Sequence, residues 1–368
     1  MAGDLASQLL LACVPARLEP ARLRGLATDP RMDWAAAYRL ADRHGVVGLI
    51  APQLHETCDG ALPDQVWAPW RRRWQALAMQ DLTHLAMLEH LLEESHARGL
   101  RPLLLKGLAV HLQAYPREMA RGAADIDLLV DRSDIAPMAQ CLEAAGFVLA
   151  EQDAHGRPVA NVQTLLAKDS EALFVHPTRN IDVDLHWDLC AFRVAHAVGL
   201  RLTAHLGDRA RALPVGRAVG AIPGREEELL VLSLHLLGEG DFVLRNLCDL
   251  ARLLVAEPPV DWPRFCRVAG ETGTDTVAFY ALTLVEQASP GVVPSAVWST
   301  LAPAAGPRRL LAPFLQMDTL LNTRGEGIAD VGTFWQGVLF ARHPWRWLPC
   351  QTVRVGRWMA RRAHGMLR

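Results

Sequence analysis

The stretch from Leu103 to Val130, LLLKGLAVHLQAYPREMARGAADIDLLV, constrains this chain more than any other. An apolar run, Leu103-Leu104-Leu105, leads into Lys106-Gly107, then a helix-like segment from Leu108 to Tyr115 and an arginine-bearing loop. The stretch closes on Asp125-Ile126-Asp127 inside a second apolar run. Carboxylates at i and i+2 on a strand share one face, and the apolar flanks imply that the other face is buried. Two adjacent negative charges at a sheet edge are costly unless a cation lies between them. Oxygen ligands of this kind suit a divalent metal.

A chain of 368 residues is long enough for two or three domains. A formal net charge of −2 provides no global drive toward nucleic acid or a membrane surface. Lysine occurs only at Lys106 and Lys168, so 36 of the 38 basic residues are arginine. Against that arginine bias, Lys106 stands out. The seven cysteines form no CxxC pair, which argues against a disulfide framework or structural zinc and fits a reducing cytoplasm. Leu9 to Cys13 follows Asp4 without a basic leader, so it reads as an amphipathic helix, and no apolar run reaches the length of a membrane span.

Periodicity divides the chain into an N-terminal helical lobe (1–97), an α+β core (98–222) and a C-terminal helical domain with a basic, Trp-rich tail (223–368). Helical spacing covers Trp34–His44, Val66–Met79 and Leu82–Arg98, with breaks expected at Ala51-Pro52, Asp59-Gly60 and Leu62-Pro63. Arg71-Arg72-Arg73 reads as a solvated helix face. In the core, strands are expected at Pro102–Leu105, Ile126–Val130, Phe147–Ala150 and Leu173–Val175. Ser133 is a candidate cap for a helix that Gly146 ends. Ile181-Asp182-Val183-Asp184-Leu185-His186-Trp187 alternates strictly, with Asp182, Asp184 and His186 on one face. Later helices are expected at Arg225–Leu237, Val243–Ala256, Trp262–Thr272 with Asp261 as N-cap, and Thr276–Ala288. The tail after Asp330 has no acidic residue, seven arginines and four tryptophans, and reads as aromatic packing on the helical part, with contact to a membrane surface or to nucleic acid as the alternatives.

Three carboxylates from two strands match the needs of two-metal phosphoryl or nucleotidyl transfer. The Lys106-Gly107 turn and the helix after it can turn backbone N–H groups and a positive dipole end toward phosphates. Lys106, Arg121 or Arg117 could add countercharge. His186 either touches substrate or hydrogen-bonds an aspartate, and Asp131 reads as a solvated turn residue. His235, Arg245 and Asp249 read as buried interhelical pairs before substrate contacts.

The order KG–helix–R–DIDLLV–IDVDLHW resembles the nucleotidyltransferase fold of the DNA polymerase β superfamily. More closely, it resembles a bacterial branch described as uncharacterised nucleotidyltransferases, in which Leu-Lys-Gly replaces the Gly-Ser turn of better-known relatives. DWAAAYRLADRHGV near residue 33 and HLLGEGDFVLRNLCDLARLL at 235–254 extend the resemblance over Trp34 to Ala288. It implies a polymerase β-like core, with a mixed sheet and helices, between all-helical lobes. It further implies Asp125, Asp127 and Asp184 as metal ligands and catalytic carboxylates, with Asp182 the alternative third ligand. Lys106, Gly107, Arg121, His186 and Asp182 then face the nucleotide. Mg²⁺, as two ions, or Mn²⁺ would be the cofactor, and a nucleoside triphosphate the substrate. The acceptor, whether small molecule, peptide or protein, is left open, as is the oligomeric state. A nucleotide-sensing or protein-binding module that keeps the fold without catalysis is the alternative.

Overall fold

The computed structural model describes residues 4–14, 20–58, 62–151, 158–159, 161–166, 169–189, 196–238, 243–312 and 315–322. The Arg/Trp tail lies outside them. The chain opens with helices α1 (Leu5–Cys13), α2 (Pro20–Ala27), α3 (Trp34–Arg43), α4 (Val47–Cys58) and α5 (Asp64–Ala97). Next come β1 (Leu103–Leu104), α6 (Lys106–Ala114), β2 (Asp125–Leu129), α7 (Ile135–Ala144), β3 (Val148–Leu149), β4 (Glu171–Val175) and β5 (Asp182–His186). Helix α8 (His196–Leu206) precedes β6 (Arg211–Val215) and β7 (Ala218–Ile222). Helices α9 (Arg225–Gly238), α10 (Leu244–Val255), α11 (Trp262–Thr272), α12 (Asp275–Ala288), α13 (Ser295–Leu301), α14 (Ala305–Leu311) and α15 (Met317–Asn322) complete it. None of the described helices is long and apolar enough to cross a membrane.

The strands form one mixed sheet in the order β3-β4-β5-β2-β1-β7-β6. Parallel pairing of β2 with β5 at its centre sets Asp125 opposite Asp182, Asp127 opposite Asp184 and Leu129 opposite His186. One face of the sheet is apolar: Ile126, Leu128, Val183 and Leu185 pack with Leu88 and Leu91 of α5 and Leu142 of α7. Burying that face fixes the register, because a one-residue slip would turn Asp127 and Asp184 into the core. A second core joins helices from both ends of the chain, with Leu9, Ile50 and Trp70 in the same cluster as Leu250, Phe265 and Leu282.

Several local expectations need correction. The two expected segments, 66–79 and 82–98, merge into one continuous helix, α5, which ends at Ala97 with Arg98 as its C-cap. Gln80 and Asp81, between the two expected segments, both bond the loop before β2. Asp81 accepts the Gly122 and Ala123 N–H groups at 3.0 and 2.9 Å, and the Gln80 amide donates to Ala123 O at 2.7 Å. The expected break at Ala51-Pro52 also falls inside a helix, α4. Proline there cannot donate to the carbonyl four residues back. That carbonyl, of Gly48, instead accepts the N–H of Ala120 at 3.1 Å. A Cβ on Gly48 would lie 2.1 Å from Ala120 O, so only glycine permits this approach. Ser133 sits in a 3-10 turn, Arg132–Asp134, and does not cap α7, whereas Gly146 beyond the helix has the expected positive φ of 94°.

The β6–β7 hairpin was not foreseen. Its Pro214 speaks against a strand, but β6 is at the edge of the sheet, where a missing N–H costs little. Gly216 makes the turn with φ 55°. Helix α11 has the expected bounds, and Asp261 caps it by accepting the Arg264 N–H at 3.0 Å.

Candidate active site

The site forms where β1, β2, β5 and the start of α6 meet. Backbone bonds lock the strands around it: Leu105 N–H donates to Asp127 O, and Val130 N–H donates to His186 O, each at 3.0 Å. Lys106 makes the turn from β1 into α6 with φ 43°, a left-handed conformation that a side chain tolerates poorly. That backbone turn directs the Lys106 ammonium onto Asp127, with Nζ 3.0 Å from Oδ1.

Asp127 is buried and holds two cations. His186 Nε2 is 2.9 Å from the same Oδ1, and His186 Nδ1 is 3.0 Å from Glu171 Oε2 on β4. Glu171 and His186 are register partners on adjoining strands, so the sheet itself sets this contact. Burial opposes charge on Asp127, but Lys106 and His186 outweigh it and hold the carboxyl well below its usual range. Burial likewise opposes charge on His186, yet the hydrogen bonds to Asp127 and Glu171 raise it to about 9. The His186 bond brings Glu171 below its ordinary value. Both ring nitrogens therefore donate to carboxylates.

Asp184 has the opposite character. Burial, then the negative charges of Asp127 and Asp125, push its carboxyl up to about 7. Asp125, half-buried at the start of β2, is raised by burial and by Asp127. Ligand atoms of Asp127, Asp184 and His186 all lie within 4.8 Å of one another, and Asp125 falls outside that group. This donor set fits a divalent cation with oxygen ligands. Two carboxylates converge, one of them carries a strained negative charge, and a cation between them would relieve it. His186 fits less well as a ligand than as a brace, because a metal at Nε2 would have to displace its contact with Asp127.

Arg121 is buried, and its guanidinium grips Asp249 of α10. Nε lies 3.0 Å from both carboxylate oxygens and Nη2 lies 2.6 Å from Oδ2. Tyr115 donates its hydroxyl to Asp249 Oδ1 at 2.7 Å, and the Arg252 guanidinium stacks 4.8 Å from the Tyr115 ring. Burial opposes the Arg121 charge, but Asp249 more than offsets it. The third nitrogen, Nη1, lies over Gly107, 3.1 Å from where a Cβ would stand. Gly107 thus supplies room for Arg121, not backbone freedom. The buried pairing expected for Asp249 is present, and its partner is the arginine expected at the phosphates.

The remaining expected residues divide. Asp182 is half-buried at the start of β5 opposite Asp125, Asp131 and Arg117 are exposed, and Arg245 donates through Nη1 to Gly122 O at 2.7 Å. His235 on α9 is close enough to Asp125 to act on its charge. Glu171 was missed, although its position on a strand of alternating burial beside β5 was a usable signal. Asp81 was missed as well, because a single acid within a helical pattern carries no mark of its partner.

No curated protein matches the chain at significant similarity. A family model described as uncharacterised nucleotidyltransferase matches residues 30–289, well over half of the 368 residues and every element around the carboxylates, and the chain belongs to that family.

Proposed function

We propose that this protein is a metal-dependent nucleotidyltransferase that moves a nucleoside monophosphate from a nucleoside triphosphate to an acceptor and releases pyrophosphate. The observation that carries this reading is the register of β2 and β5, which sets Asp127 against Asp184 on a buried, unslippable pair of strands. Asp127 and Asp184, with Asp125 beside them, would hold Mg²⁺ or Mn²⁺. When bound, such ions supply charge neutralisation for the triphosphate and the leaving pyrophosphate.

The chain's own groups account for the rest. Nη1 of Arg121 and the start of α6 at Gly107 face the phosphates, and Asp249 holds that arginine in place. Lys106 shifts its ammonium from Asp127 to a phosphate oxygen. The acceptor's hydroxyl or amine attacks the α-phosphorus, a new bond to phosphorus forms, and the bond to the β-phosphate oxygen breaks. Asp184, opposite Asp127 in the strand register, orients the acceptor and takes its proton. His186, braced by Glu171, keeps Asp127 in position throughout.

A non-catalytic nucleotide sensor is the second reading, favoured by one observation: Lys106 already neutralises Asp127, and the Lys-Gly turn offers no hydroxyl to a phosphate. Pyrophosphate release from each nucleoside triphosphate, with Mg²⁺ and with extracts as a source of acceptor, separates the two. Release that needs Mg²⁺ and is lost in Asp184→Asn supports the transferase. Mg²⁺-dependent nucleotide binding without release supports the sensor, and absence of binding contradicts both.

A further inference from the structure

A cleft of about 170 Å³ opens between the helices of the N-terminal region and the loop that leads into β2, and nothing in the chemistry above uses it. Its wall includes Arg245, Arg73, Asp42, Gln80 and Ala124. Ala124 is exposed and immediately precedes Asp125, so the cleft adjoins the carboxylates.

The charges in this wall do not cancel. Arg73 is paired with Asp42 at 2.9 Å. Arg245 has no carboxylate contact among the described residues: Nη1 donates to Gly122 O, and Nε is buried with no acceptor. Burial and the neighbouring Arg121 press the Arg245 guanidinium below its ordinary value, and the negative charges of Asp249 and Asp125 offset this only in part. Arg245 also belongs to the first turn of α10, the positive end of a 12-residue helix. The local N–H groups there are already committed, with Leu244 N and Arg245 N bonded to His44, so the unspent capacity is the guanidinium itself. An anion is what this wall lacks.

We infer that the cleft binds an oxyanion, a carboxylate or a phosphate, through Arg245, and that this oxyanion is the handle by which the acceptor is held beside the carboxylates. The assignment to the acceptor rests on the nucleotidyltransferase reading, whereas the anion site itself does not. An anionic handle at Arg245 would hold the acceptor near Asp125, whose charge reaches the guanidinium. It would also explain a wall that places one ion-paired arginine and one only partly compensated arginine around a small space.

The test is binding by the full chain, stripped of divalent cations on a chelating resin, of inorganic phosphate and, separately, of succinate. Phosphate broadening in ³¹P spectra and calorimetry for both anions give the affinities. Arg245→Gln weakens binding by about tenfold or more, the scale expected for loss of a charge-assisted hydrogen bond. Ala124→Trp, at an exposed position of the same wall, fills the cleft while keeping the Arg245 side chain, and keeps the result interpretable if Arg245→Gln folds poorly. Lys106→Met leaves this binding in place, which separates the cleft from the triphosphate site. Binding of phosphate alone points to a phosphorylated acceptor, and binding of succinate to a carboxylate acceptor; either upholds the site. Neither anion binding, or equal binding in Ala124→Trp and folded Arg245→Gln, overturns it. Anion binding in a protein that releases no pyrophosphate contradicts the transferase reading and leaves the cleft standing.

Discussion

Asp127 and Asp184 face each other across two parallel strands, yet their carboxyls are in opposite states: one is held charged by Lys106 and His186, the other is raised to about 7. The sheet forces this contrast. Asp127 is reached by the lysine at the end of β1 and the histidine of β5. Among the described residues no cation is seen bonded to Asp184, which carries the repulsion of both neighbouring aspartates. A pair in these states is a poor resting arrangement for a protein without a cation and a good one for a protein that binds one.

The metal-free protein therefore loses stability as pH rises. Asp184 has a folded pKa of about 7 against 3.8 in an ordinary chain, so its contribution is present below about pH 4 and is lost through pH 7. His186, raised to about 9 from 6.5, contributes below pH 6.5 and loses that contribution through pH 9. Asp184→Asn is expected to raise the metal-free melting temperature at pH 8 by about 2–4 °C and to leave it nearly unchanged at pH 4. Mg²⁺ is expected to stabilise the wild type at pH 8 and to stabilise the variant much less. Thermal melts across pH, with and without Mg²⁺, check both.

Lys106 competes with a metal for Asp127, so its removal has effects of opposite sign. Lys106→Met is expected to tighten divalent-ion binding in the absence of nucleotide and to weaken nucleotide binding by about tenfold. Titration of Mn²⁺ and of a nucleotide analogue into both proteins measures the two changes separately. Changes in the same direction would contradict the dual role.

Asp249→Ala leaves Arg121 buried without its partner and is expected to cost about 3–5 kcal/mol. The double variant Arg121→Leu, Asp249→Leu is expected to recover much of that stability while still binding nucleotide weakly. Denaturant unfolding together with nucleotide titration distinguishes this from a purely structural pair, for which the double variant would bind normally.

Gly48→Ala places a methyl group 2.1 Å from Ala120 O and must push the loop before β2 away from α4. A loss of about 3 kcal/mol is expected. Urea unfolding reads it. Ala120 N–H should also lose protection from hydrogen exchange, because Gly48 O is its acceptor.

The strands that carry the carboxylates were legible because their pattern is local. Alternation from Ile181 to Trp187 and the apolar flanks of Asp125 and Asp127 report a buried face directly, and the Asp261 cap announces α11. What could not be read are partnerships across distance. Arg121 and Asp249 are 128 residues apart, and nothing near either names the other. Glu171 meets His186 only through strand register, and Asp81 meets Gly122 only because α5 runs unbroken past the loop. The β6–β7 hairpin hid behind Pro214, whose cost depends on being at an edge, a property of the assembled sheet. The role of Gly107 was likewise hidden: its missing side chain makes space for an arginine that the chain reaches fourteen residues later.

The most direct test of the account is Mn²⁺ binding followed by electron paramagnetic resonance, on the full chain with and without a non-hydrolysable nucleoside triphosphate analogue. The wild type is expected to bind Mn²⁺, and more tightly once the analogue is present. Asp184→Asn and Asp127→Asn are each expected to weaken that binding by about tenfold or more. Wild-type protein that takes up no Mn²⁺ under either condition, or variants that bind it as the wild type does, would contradict a metal–nucleotide site on β2 and β5.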